Sequence, residues 1–395
     1  MADIEYHPLA DDVMACPVDA YKELRQRCPV HLVEGFTPPH YVVTRHDDVE
    51  RILRDPGTWS AKHGHGPSFA TGDGALGYCD DPRHGEQRRI VNRAFTPRSV
   101  AVMEPRVREI ADELVDEFEA RGQGDLHNLF ATPLPIIVIA EMLGVPAGNQ
   151  RDFKRWSDDS VLRIASGDPK SYPESAQQFR DFFTAEIADR QAQIGRGETP
   201  ADDLVTRLVM AEDNGIRLSA DETLSMISQI LTAGNETTTS LLLNMVRRLC
   251  EQPALIDQLS EDPSKYEVLV EESLRFDSPV LGLWRTPNET QQVGDVTIAP
   301  DHKTQVLFSA ANRDPEAWDD PDTFSLDRPL DDVRKHLAFG VGPHFCLGAS
   351  LARLEGRVGI QTLVERLPNL RLDAEPQRVP VFFLWGWQNM PARWG

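Results

Sequence analysis

Between Ser219 and Pro253 the chain carries a helical signal too long for a small module. Ser219 and Glu222 stand three apart as a capping box, and Pro253 follows the expected end. The roughly 30 residues between them would span about 45–50 Å, enough to cross a whole globular body. A length of 395 residues allows two or three domains or one large fold. No repeat, low-complexity tract or Ser/Gly linker divides the chain, so one domain over residues 1–395 is expected.

The fold class read from periodicity is mainly α with minor β: a large helical body plus small antiparallel sheets. Residues 100–121, 176–195 and 202–212 carry apolar positions three and four apart among charges, which predicts amphipathic helices. Strand-like pieces are short: Tyr41–Thr44, Val293–Ile298, Thr304–Phe308 and Val379–Leu384. They lie far apart and can pair only over long range. Two segments break the helical pattern. Residues 57–77 hold glycines at 57, 64, 66, 72, 74 and 77, and residues 166–173 hold Gly167, Pro169 and Pro173.

Charge narrows the partners. With 63 acidic against 41 basic residues the net charge is −22, which argues against nucleic acid and anionic membranes. Five cysteines (16, 28, 79, 250 and 346) are odd in number and scattered, as suits a reducing compartment. The first 17 residues lack a basic flank and an apolar core, and no run of 18 or so residues is apolar throughout. A cytoplasmic protein without a membrane span is expected.

The segment around Cys346 is the most specific. Phe339-Gly340-Val341-Gly342-Pro343-His344-Phe345-Cys346-Leu347-Gly348 describes a tight backbone turn, followed at once by a helical pattern from Ala349 to Leu367. A cysteine at a helix N-terminus is favoured as thiolate, and the glycines admit a large flat partner close to the backbone. The segment resembles the haem-binding signature of the cytochrome P450 family, Phe-x-x-Gly-x-(His or Arg)-x-Cys-x-Gly, at Phe339, Gly342, His344, Cys346 and Gly348. The resemblance implies that Cys346 is the axial ligand of a haem b iron, with Phe339, Gly340 and Gly348 around it.

Further matches stand upstream. His84 and Arg88 lie four apart and share a helix face. The resemblance makes them, with Arg285 and His344, partners of the haem propionates. Glu272 and Arg275 match the family's Glu-x-x-Arg pair, to which the segment around Phe324 and Arg328 adds a second arginine in a structural role. In the middle of the long helix, Ala233-Gly234-Asn235-Glu236-Thr237 matches (Ala/Gly)-Gly-x-(Asp/Glu)-Thr. Gly and Thr are poor helix formers, so a widened or bent turn is expected there. The resemblance assigns Glu236 and Thr237 to proton delivery during reductive activation of O2.

By family topology the substrate wall comprises Ile230, Ala233 and Gly234 of the long helix, then Val280, Leu281 and Leu283, and Phe382 and Phe383. The two broken segments become a mobile entrance; His63 and His65 could meet a substrate carboxylate, with surface histidines the preferred reading. The implied function is an O2-dependent monooxygenase that hydroxylates a small hydrophobic substrate. Little sequence follows Cys346 and no cysteine set can hold a cluster, so electrons are expected from a separate ferredoxin and its reductase, with the enzyme a monomer. A peroxide-dependent relative is disfavoured by the Glu236–Thr237 pair; a haem protein that binds ligands without turnover is the other alternative. From Arg83 to Arg98 five arginines (83, 88, 89, 93, 98) face one acid, Glu86, a local balance of +4. With Arg353 and Arg357 they are expected to form a basic dock for an acidic ferredoxin.

Overall fold

Ala220–Glu251 forms one helix of 32 residues in the computed structural model, which describes residues 4–69, 74–168 and 170–395. Its start is set by the capping box: Ser219 Oγ accepts from the Glu222 amide at 3.1 Å, and the Glu222 carboxylate accepts from the Ser219 amide at 2.8 Å. Every residue from Thr238 to Val246 is buried, as befits a helix enclosed on all sides. Four helices enclose it: Pro133–Leu143, Gln150–Ser166, Lys265–Phe276 and Ala349–Arg366. Close packing on the last of these needs Gly359, where a Cβ would lie 2.8 Å from Leu242.

A five-stranded mixed sheet flanks this body, in the order Val30–Val33, His40–Val43, Lys303–Val306, Leu283–Pro287, Trp59–Ser60. Lys303–Val306 runs parallel to His40–Val43 and antiparallel to Leu283–Pro287, which sets Lys303 beside His40 and Thr304 opposite Arg285. Long-range pairing thus brings two buried cations onto adjacent strands.

Several local expectations are corrected. Val293–Ile298 is a hairpin, Gln291–Val293 with Val296–Ile298, turned by Gly294 at φ +57°. The strand from Thr304 ends at Val306, and Phe308 opens a short helix. Val379–Leu384 is no strand: it makes only an isolated bridge from Leu384 to Val280, because its apolar residues pack as a side-chain cluster around Trp284. The 100–121 helix is split between Pro97–Ala101 and Glu104–Asp116, where Pro105 starts a new helix. The segments 176–195 and 202–212 contain the expected helices, Pro173–Gly195 and Leu204–Met210.

Gly72 and Pro169 lie outside the described residues, but the two broken segments around them meet. A Cβ on Gly66 would stand 3.0 Å from the Ile164 carbonyl, and one on Gly167 would stand 2.6 Å from Ser68 Oγ. Among the described residues no helix is long and apolar enough to cross a membrane.

Candidate active site

The Cys346 loop is built by its own backbone. The Cys346 amide donates to the Phe339 carbonyl at 2.9 Å and Phe345 to Gly342 at 3.0 Å, while Gly340 and Gly342 take φ +65° and +79°. A Cβ at Gly342 would lie 2.9 Å from the Leu53 carbonyl, so the loop rests against the helix His46–Arg54. Cβ atoms at Gly340 and Gly348 would meet nothing within 4 Å, which leaves that backbone open to a flat partner. Burial pushes the Cys346 thiol up, while the amide of Gly348, then Arg88, Arg353 and the amide of Ala349, pull it down. A coordinated metal ion would complete the counter-charge and hold the sulfur as thiolate.

Behind the loop, charges are locked together. Arg275 grips Glu272 with two bonds of 2.7 and 2.8 Å, and Arg328 adds one of 3.1 Å. Glu271 holds Arg353 at 2.6 Å and His336 at 3.0 Å, and the Arg353 guanidinium lies 4.6 Å from the centre of the Phe339 ring.

Beside the loop, two arginines and several imidazoles converge. The helix Arg83–Asn92 presents His84, whose ring stacks on His344 at 3.9 Å, and Arg88, which donates to the Phe345 carbonyl at 2.6 Å. Arg285 is buried and donates to the Trp284 carbonyl at 2.8 Å; burial pulls it down to about 10. His344 Nε2 is buried without a partner, and burial followed by Arg285, His84, His65 and Arg88 depresses its pKa to about 2. An enclosed set of donors with so little counter-charge suits a group bearing carboxylates. A thiolate, open glycines and this cationic pocket together fit haem b. His65 belongs to the cluster, although the sequence reading left it at the surface; no local motif marks it, and only the sheet brings its loop to Arg285.

Opposite lies the middle of the long helix. Thr237 Oγ1 donates to the Ala233 carbonyl at 2.5 Å, within a helix that runs unbroken from Ala220 to Glu251. The expected widened turn does not interrupt the helix, and the hydroxyl bonds back to a carbonyl one turn earlier. Glu236 accepts from Asn235 Nδ2 at 2.9 Å and from Lys154 Nζ at 3.2 Å, and Lys154 also pairs with Asp158. Burial, then the hydrogen bond and charge of Glu236, push Asp158 up to about 7. Two carboxylates thus share one ammonium and retain a proton near neutrality. Lys154 and Asp158 are the partners that sequence reading missed.

The expected wall is partly rearranged. Ala233 is exposed, and Ile230, Val280 and Leu283 are half-buried. Gly234 turns away: its Cβ would lie 2.3 Å from Ile139, so the glycine serves close packing of two helices. Leu281 is core, 3% exposed in a cluster with Tyr6, Tyr21 and Leu24, because its strand-end position faces the N-terminal layer. Phe382 and Phe383 pack with Trp284 and with Val161 and Ile164 at the end of the helix Gln150–Ser166.

The basic patch is largely neutralised by acids distant in sequence. Arg83 pairs with Glu86 and Glu222, Arg89 and Arg93 with Asp213, Arg353 with Glu271 and Arg357 with Glu104. Arg98 makes no ion pair among the described residues.

Comparison with protein families matches cytochrome P450 over residues 15–267 and 266–380. Erythromycin C-12 hydroxylase of Saccharopolyspora erythraea is 37% identical over 358 residues, covering 89% of this chain and 88% of that one. Cytochrome P450 monooxygenase PikC of Streptomyces venezuelae is 34% identical over 400 residues, covering 98% and 93%. The solved structure of cytochrome P450 CYP109Q5 from Chondromyces apiculatus superposes with a TM-score of 0.87 at 35% identity, covering 98% of this chain and 97% of that one. The family match runs over most of the chain and these relatives cover nearly all of it, so the chain belongs to the cytochrome P450 family of monooxygenases.

Proposed function

We propose that this chain hydroxylates a small hydrophobic molecule with O2, drawing electrons from a separate ferredoxin and its reductase and working as a cytoplasmic monomer of one domain. The observation that carries the reading is the ammonium of Lys154, which joins Asp158 of the helix Gln150–Ser166 to Glu236, the residue before Thr237 on the long helix. Oxygen activation consumes protons, and a relay needs a group that is half-protonated at working pH. Asp158, pushed up to about 7, meets that need, and Glu236 would pass its proton towards the Thr237 hydroxyl.

Haem, when bound, supplies the redox chemistry that binds and cleaves O2. Cys346 would hold its iron, while His84, Arg88, Arg285 and His344 would orient its carboxylates. Phe339, Gly340 and Gly348 would shield the sulfur side, and Ala233 would leave room on the opposite side. Ile230, Val280 and Leu283 offer an apolar contact to substrate. The names of relatives agree with apolar substrates: one solved structure holds testosterone in CYP109E1 from Bacillus megaterium, at 31% identity and a TM-score of 0.82. For the electron donor, Phe345 at 39% exposure, whose carbonyl accepts from Arg88, and Val102 at 77%, four residues beyond Arg98, offer apolar surface next to arginines. Its salt dependence should be shallower than a free +4 patch would give.

The test is reconstitution with a ferredoxin, its reductase and isotopically labelled O2, after selecting compounds that shift the Soret band from low to high spin. One labelled oxygen in the product is expected. Label-free product, or turnover with peroxide alone, would reject the reading. Cys346→Ser should abolish the red-shifted Soret band of the reduced CO complex.

A further inference from the structure

Lys303 is fully buried, yet among the described residues its ammonium faces no carboxylate. All three of its donors go to one short stretch of loop: the carbonyls of His63 at 2.8 Å, Gly64 at 3.0 Å and Ser68 at 3.0 Å. Phe69, the next residue, adds its ring face at 5.7 Å. An uncompensated buried ammonium is costly, so three carbonyls fastened in this way amount to a built clasp. Arg285, on the neighbouring strand, faces the same region, and burial with Arg285 lowers Lys303 to about 7.

The clasped stretch carries His65. Its Nδ1 is enclosed and has no partner among the described residues. Its ring packs on Tyr78 at 4.7 Å, and Gly77 makes room for it, since a Cβ there would stand 2.2 Å from Nε2. Burial, Arg285 and Lys303 hold the imidazole neutral, with a pKa near 3, so it keeps one N–H to donate. Ser60, five residues before His65, pairs with Thr286, the neighbour of Arg285, so the sheet sets the start of this loop beside that arginine. On its outer side the same loop touches Ile164 and Gly167, between the helices Gln150–Ser166 and Pro173–Gly195.

We propose that His65 is a further binding residue for a carboxylate of the haem, and that Lys303 is the positioning residue that delivers it. The inference rests on the haem reading given above. It makes the loop between the cofactor and the helical break a single latch: a carboxylate held by Arg285 and His344 also holds the loop that carries His65.

The holoenzyme tests this by its rate of haem transfer to excess apomyoglobin. His65→Ala should speed haem loss by about tenfold, the value of one hydrogen bond to a charged group. His65→Gln, which keeps an N–H donor, should recover most of that loss. Lys303→Met should accelerate haem loss with His65 intact and expose the 63–69 stretch to proteolysis. Haem whose propionates are esterified should leave wild type and His65→Ala at equal rates. Loss from His65→Ala within twofold of wild type, no recovery by His65→Gln, or an undiminished difference with the esterified haem would overturn the proposal. Failure of the wild type to take up haem and give the shifted CO band would instead reject the haem reading itself.

Discussion

Two carboxylate clusters, one around Glu272 and one around Asp158 and Glu236, solve opposite problems. Behind the Cys346 loop, Glu272 is one acid between two guanidiniums, fully buried and also accepting from the Ser325 amide at 3.0 Å. Across the site, Asp158 and Glu236 are two acids on one ammonium, with side chains 37% and 17% exposed. The first has more positive than negative charge and both carboxylate oxygens engaged. The second has a negative surplus and is partly withdrawn from water, so burial followed by the hydrogen bond and charge of Glu236 lets a proton settle on Asp158. Charge count and access to water, more than residue type, separate a structural acid from a chemical one.

The sharpest way to break this contrast is Glu272→Gln. It leaves Arg275 buried without its acid and should cost about 3–5 kcal/mol in urea unfolding, because an uncompensated charge remains inside. Glu236→Gln should do the reverse: stability nearly unchanged, product formation per electron lowered by about 100-fold or more, the range for a lost general acid. If the two variants behaved alike, the division would fail.

Asp158→Asn sharpens it through pH. The folded protein raises Asp158 from 3.8 to about 7, so it binds a proton that the unfolded chain releases. Its stabilising contribution is full below about 4 and is lost as pH rises through about 7. The asparagine variant cannot ionise, so its melting temperature relative to wild type should climb between pH 5 and 8. Partial exposure keeps the effect below about 1 kcal/mol. Least of all, Asp213→Asn frees Arg89 and Arg93 at the surface. It should change stability by only a few tenths of a kcal/mol, yet steepen the salt dependence of electron delivery from an acidic donor.

What the sequence made legible was whatever a single stretch of chain decides. The capping box of Ser219 and Glu222, the turn before Cys346, and the i,i+4 pair His84 and Arg88 all sit as spacing predicts. What escaped was set by distant partners. Lys154 lies 82 residues from Glu236, and Lys303 lies 240 residues from His63. Arg89 and Arg93 looked free because Asp213, 124 and 120 residues away, is invisible in their own segment. Val379–Leu384 has the composition of a strand but finds aromatic neighbours where a pairing edge was expected. Gly234 matched a motif, yet the motif does not say which face a glycine serves.

Glu222 has a consequence beyond its role as a helix cap. The same carboxylate that closes the capping box accepts from Arg83 Nε at 2.6 Å and from Gln87 Nε2 at 2.8 Å. Gln87 in turn accepts from the Leu76 amide at 2.7 Å. One acid therefore indexes three segments against each other: the start of the 32-residue helix, the helix bearing His84 and Arg88, and the strand of loop that follows the glycines. Hydrogen bonds from Arg83 hold that acid down at about 2, so the joint stays charged at any pH the fold survives. Mechanically it is a pivot pin. The residues that would grip the cofactor and the helix that would feed it protons cannot slide independently, and a displacement at one is metered to the other through a single side chain.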